Sequence, residues 1–454
     1  MDAAVLDRRT RTHDECVPPD LADRLLALGH ADVVRAQAVA EDGDWFCARA
    51  WARWLAGRGR SEEALEVLAP YVGTGWWTAA AEAARLLEEA GLGEEALDLV
   101  RPFARGGERL ALRHLALSLA RCGRGEEAHA LLVPHVADWL LAEALVEAGA
   151  GLGRDEEIAT LLEARIVTGR PCVRCGSAEC AGRDPEPFNA VALLAAVRER
   201  QGRTDEAVEA LRTYGALVVD NRDPLAELLI RHDRVDELRA HAAGEDREEA
   251  ARHLAELLEA RGDVEGAIEV YRRQAEYDSW HAPTLLARLL ARHGRGAEAV
   301  EVVRAMNSAE DWIVDLLCEL LAAEGRAGEG LAHLDALEAR EAWEPWELFR
   351  LRARLLAACG RLDEAVEEAR ASSGSGGPYA AEEMARLLAD AGRPEEAVAF
   401  LDADRPEHRR TLGLLLVERG RAEEAVALLR APRSTTPPPE PGPGAADHGG
   451  CPPF

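Results

Sequence analysis

Three cysteines lie close enough together to do chemistry. Cys172, Cys175 and Cys180 form a C-x2-C-x4-C array. A C-x2-C turn lets two thiolates meet one tetrahedral metal ion, and Gly176 suits the tight bend that follows. The spacing is that of the first three ligands of a zinc knuckle, but Pro185 stands where the fourth would fall. The same residues also admit a redox pair at Cys172 and Cys175, or surface thiols without a role.

Other chemistries are excluded by what the chain lacks. Its 454 residues carry 54 basic side chains, and all of them are arginine. Without lysine there is no Schiff base, no lysine general base and no P-loop cation. No H-E-x-x-H or G-x-S-x-G occurs, and the 13 histidines are dispersed. Gly91-Leu92-Gly93-Glu94-Glu95-Ala96 matches a dinucleotide fingerprint, but that motif works only after a β-strand, and helical patterns flank it here. Paired carboxylates recur throughout the chain, whereas acid–base catalysis needs two carboxylates in different surroundings at one place. The net charge of −29 argues against a partner held through nucleic-acid phosphates.

These residues are positioned by a repeat. The phrase Gly-Arg-x-(Glu/Asp)-Glu-Ala appears at 59–64 and again at 360–365. Its relatives place anchors at 59, 91, 123, 153, 202, 233, 262, 294, 325, 360, 392 and 420, all glycine except Asp233, and Gly29 fits a degenerate thirteenth. The period is near 32 residues. Leucine pairs at helical spacing precede the anchors, as at Leu355-Leu356 and Leu387-Leu388. The anchor glycine falls where a helix C-cap requires a left-handed backbone. The acidic pair that follows opens a second helix, where free N–H groups favour negative charge. Alanine five residues after the anchor allows close helix approach, and Pro70, Pro102 and Pro134 are placed to end second helices.

The half-motif Gly-x-x-x-x-Ala-x-x-x-(Leu/Phe/Tyr) is similar to the second half of the tetratricopeptide repeat. The aromatic residues Trp45, Trp77, Trp139, Phe188, Trp280 and Trp346, each fourteen residues before an anchor, echo its first helix. The resemblance covers about residues 14–431 and looks like a bacterial, repeat-only type. It implies an all-α, right-handed α-solenoid of twelve to thirteen helix-turn-helix units with a groove lined by first helices. A single helix pair cannot bury its apolar face alone, so the units must stack. The fixed-position aromatics read as core, while Trp51, Trp54, Trp76 and Trp343 are the better groove candidates.

Residues 1–13 then form an N-terminal extension, and 432–454, with eight prolines, a disordered tail. The Cys-rich insert, about 168–187, lengthens one connection between helix pairs. Connections share an edge of such a solenoid, and the preceding one contains His135. The expectation is one structural zinc held by Cys172, Cys175, Cys180 and His135, with Asp184 or water as the alternative fourth ligand. The absence of a signal-like or membrane-length apolar run, with nine mostly scattered cysteines, points to a cytoplasmic protein. The function expected is a non-enzymatic scaffold for a protein or peptide partner, with no nucleic acid and no membrane. The alternative is a metal- or redox-responsive regulator acting through the insert.

Overall fold

The computed structural model describes residues 2–431 except 14, 41–42, 167–186, 215–222, 245–246, 278–279, 307, 309, 340–342, 344, 372–377 and 404. The described residues form 27 α-helices and no strand. After a leading helix, Ala3–Thr12, the other 26 pair into thirteen helix-turn-helix units, from Pro19–Ala27 with Ala31–Ala38 to Arg409–Glu418 with Ala422–Arg430. The N-terminal extension is therefore itself helical, and its Leu6 is buried in the core.

Every anchor does the backbone work its sequence demands. Gly59, Gly294 and Gly420 have φ of 74°, 73° and 72°, and Asp233 reaches 55° in the same turn. A Cβ on these three glycines would meet nothing within 4 Å, so backbone conformation, not space, selects glycine there. The turn is a Schellman closure. The amide after every anchor but Gly153 donates to the carbonyl four residues before that anchor, as in Arg60 N–H to Leu55 O (3.1 Å) and Arg393 N–H to Leu388 O (2.8 Å). The leucine pair thus serves twice, filling the core with its side chains and closing the turn with a carbonyl.

The alanine five residues after the anchor (Ala64, Ala96, Ala128, Ala207, Ala267, Ala299, Ala365, Ala397 and Ala425) is 0% exposed in all nine copies. Gly330 takes that position in another copy, and a Cβ there would lie 2.9 Å from Leu355. Helices approach closely at this point in these copies, whereas Val34, Ile158 and Leu238 fill the same position, fully buried, in three others. Pro70 and Pro102 do not stop their helices as expected. Ser61–Val72 and Gly93–Arg105 run two and three residues further. A proline in the last turn removes only its own N–H, and the following amides still bond, as in Gly73 N–H to Ala69 O. Pro134 does end a second helix, within the 3₁₀ turn Val133–His135.

The acidic pairs are a ladder between units. The arginine after an anchor holds the second acid of its own unit and reaches the first acid of the unit before. Arg295 bonds Glu298 (2.7 Å) and Glu265 (2.8 Å), and Arg393 bonds Glu396 (2.7 Å) and Asp363 (2.6 Å). Arg124, Arg154 and Arg234 repeat the arrangement.

The array closes on itself. Pro19–Ala27 lies against Arg409–Glu418, the first helices of the first and last units. One continuous apolar core runs from the residues Phe349 to Leu429 into Leu6 to Leu86. The open groove implied by the sequence pattern is therefore bounded by a ring.

Candidate functional site: an arginine-lined cleft

The second helices Gly93–Arg105 and Gly125–Leu132 flank a cleft whose floor is the first helix between them, Arg109–Arg121. Its volume is about 650 Å³. Leu112, Leu115 and Leu119 recur on one face of the floor helix, and Leu131 and Leu141 add apolar wall. Around this apolar centre stand Arg101, Arg105, Arg109 and Arg124, against the acids Glu127 and Asp138.

The cations differ in how far they are engaged. Arg109 bonds Asp138 at 3.0 Å and lies over the Trp139 ring, 5.6 Å from its centre. Arg124 is held by Glu127 and Glu94, and its hydrogen bond keeps the Glu127 carboxyl below the usual carboxylate range. Arg101 pairs with Asp98, one turn back on its own helix. Arg105 is exposed, and among the described residues no carboxylate pairs with it. The cleft lies between second helices, on a different surface from the first-helix groove expected. Sequence alone offered no route to it, since arginines occur in every unit and only stacking shows which converge.

His135 lies at the rim of this cleft, exposed, at the end of the 3₁₀ turn. Cys172, Cys175 and Cys180 lie outside the described residues, so the structure does not bring the four together. Among the described residues no three His, Cys, Asp or Glu groups could hold a metal ion. What the structure does show is the frame around the insert. Arg198, 6% exposed, bonds Glu156 (2.8 Å) and Glu163 (2.6 Å) across it, tying Asp155–Glu163 to Ala190–Arg200. The insert leaves the stacking of its flanking helices intact. Asn189 Nδ2 donates to the Trp139 carbonyl at 3.2 Å, and the Phe188 and Trp139 rings lie 5.6 Å apart.

The aromatics divide differently from the expectation. Trp45 is buried, but Trp139, Phe188, Trp280 and Trp312 are 37–41% exposed, and they meet as two tilted ring pairs, Trp139 with Phe188 and Trp280 with Trp312. Of the groove candidates, Trp51 and Trp76 are core residues at 8% and 5%, whereas Trp54 and Trp343 are half-buried. Position at the start of a first helix therefore does not by itself decide burial, since Trp45 and Trp139 both open one.

Four segments, residues 110–134, 347–371, 378–403 and 406–431, match the tetratricopeptide repeat family model. Each spans one helix pair or most of it. No curated protein matches the chain. Among solved structures the chain is similar to Naa15/Naa10 bound to HypK-THB, at 14% identity over 93% of this chain and 73% of that one, with a TM-score of 0.40. It is also similar to yeast Tom70, at 12% identity over 90% and 96%, with a TM-score of 0.32. A tetratricopeptide repeat protein from Parabacteroides merdae matches at 14% identity over 63% and 96%, with a TM-score of 0.29. The helix pairs and their glycine turns define an all-α helical-repeat solenoid. Within that class, the chain is similar to the tetratricopeptide-repeat proteins, whose family model matches four of its helix pairs.

Proposed function

We propose that the chain is a non-enzymatic scaffold that holds an extended acidic segment of a partner protein in the arginine-lined cleft. The observation that carries this reading is the convergence of four guanidiniums around an apolar floor, in a chain whose net charge is −29. Arg101, Arg109 and Arg124 are already paired within the chain, so Arg105, which meets no carboxylate among the described residues, is the guanidinium most open to a partner carboxylate. At physiological ionic strength charges beyond about 8 Å are largely screened, so these neighbouring groups govern the contact and the distant acid excess does not. Apolar side chains of the partner would cover the leucine floor while its carboxylates meet the guanidinium forks. The overall acidity supports a protein partner over a nucleic acid. No described helix is long and apolar enough to cross a membrane.

The test uses a labelled peptide of alternating glutamate and leucine, read by fluorescence polarisation against the full chain. An Arg101→Ala, Arg105→Ala double variant should weaken binding by at least about tenfold, as charge-assisted hydrogen bonds of roughly 1.5–3 kcal/mol imply. Binding should also weaken from 50 to 300 mM salt. Equal binding by the variant, or tighter binding of a lysine–leucine peptide, would end this reading.

A further inference from the structure

The joint that closes the ring is built like the other joints, but only in half. Elsewhere, the second helix of each unit packs on the first helix of the next, as Ser61–Val72 does on Trp77–Glu89. At the seam the two first helices touch, whereas Ala422–Arg430 makes no comparable contact with Pro19–Ala27. A cavity of about 770 Å³ separates Ala422–Arg430 from Ala31–Ala38 in its place. It is lined by apolar Val33, Ala36, Val426 and Ala427 as well as by charged residues. Arg430 spans it to reach the Gln37 side-chain oxygen at 2.6 Å.

The apolar core continues beneath the seam, and its outer rim is held by exposed polar pairs. Arg24 holds Glu418 through two hydrogen bonds, 2.5 and 2.9 Å, and Arg410 meets Asp20 at 2.9 Å. The four side chains are 40–66% exposed. Such pairs contribute little strength individually, but they fix which face meets which. One end of the array offers an anion and a cation, and the other offers their complements in register.

We propose that this seam is an exchangeable joint through which two copies of the chain pair head to tail. A head-to-tail interface joins unlike surfaces, so it closes a ring within one chain or between two with the same contacts. Two opened copies would form two identical seams, each joining the first unit of one chain to the last unit of the other. Tethering of the ends by their own chain favours the closed monomer when the protein is dilute. Raised concentration, or any ligand that parts the ends, favours the pair.

The experiment reverses the charges at one end at a time. One variant carries Asp20→Arg and Arg24→Glu, and the other carries Arg410→Asp and Glu418→Arg. Each alone juxtaposes like charges at its own seam. Each should elute as a monomer of larger hydrodynamic radius than the wild type, with unchanged helicity. An equimolar mixture restores complementarity only between chains, and should give a one-to-one species of twice the mass by light scattering. A single chain with all four reversals should regain the wild-type radius. The proposal is overturned if the single-end variants keep the wild-type radius, or if the opened variants stay monomeric on mixing. It is overturned equally if a loss of helicity in either is not restored by the fourfold reversal.

Discussion

The Asp44 carboxylate takes the Val17 amide at 2.7 Å with one oxygen and the Cys47 amide at 2.9 Å with the other. It is 0% exposed, and burial pushes its pKa up despite both bonds. One side chain therefore caps the helix Trp45–Ala56 and pins the segment leading into the first unit. Asp44→Ala would strand two buried donors, at about 1–3 kcal/mol each. The urea midpoint should fall accordingly, and amide exchange at Val17 and Cys47 should quicken first. Asp44→Asn should recover only part of the loss, because its NH2 faces one of the two donors.

The anchor turns make a second, paired prediction. Gly294→Val places a β-branched side chain at φ 73° and should cost about 1–3 kcal/mol by strain alone. Gly328→Ala lies inside the helix Ala327–Glu338, where a Cβ meets nothing within 4 Å. It should stabilise the chain by about 0.4–1 kcal/mol. Opposite shifts in thermal midpoint check the pair; a neutral Gly294→Val would remove the conformational explanation of the repeat.

Acid should act through the ladder. Hydrogen bonds from Arg326 and then Arg304 hold the Glu329 carboxyl down at about 2, from an ordinary value of 4.5. A depressed carboxylate contributes stability that is complete above its unfolded value and is lost as pH falls through the folded one. The contribution of Glu329 therefore disappears between about pH 4.5 and 2. In an Arg326→Gln, Arg304→Gln variant, the Glu329 carboxyl should titrate closer to its ordinary value by carbon-13 NMR. The fall of the urea midpoint across that window should be shallower than in the wild type. An unmoved titration would show that the two arginines do not act on it.

The cysteine insert predicts metal. Protein made in zinc-supplemented medium should carry close to one equivalent, lost in a Cys172→Ala, Cys175→Ala variant. No zinc, with all three thiols freely alkylated in the native state, would rule the site out. Zinc retained by His135→Ala would remove only that residue from the ligand set.

Most of the fold was legible because the repeat states its physics locally. Gly59, Leu55 and Ala64 reveal a turn, its closure and a close contact within ten residues of chain. Pairings that depend on the assembled array were not. Arg24 and Glu418 are 394 positions apart and chemically ordinary. Arg101 and Arg105 share a helix face by their spacing alone, but only stacking sets Arg124 of the next unit beside the same cleft. The exposed aromatics misled for a related reason: helical period gives the face of a helix, whereas exposure near its end depends on how far the next unit reaches.

The meeting of first and last units also changes the boundary conditions of the whole array. A linear stack melts inward from two frayed ends, because a terminal unit has one neighbour where an internal unit has two. A circle has no terminal unit. Melting then starts at a joint, and the contact beside Arg430 is the joint that is built in half. Cooperativity in this chain is therefore a property of one joint, and whatever loosens that joint turns a loop back into a line.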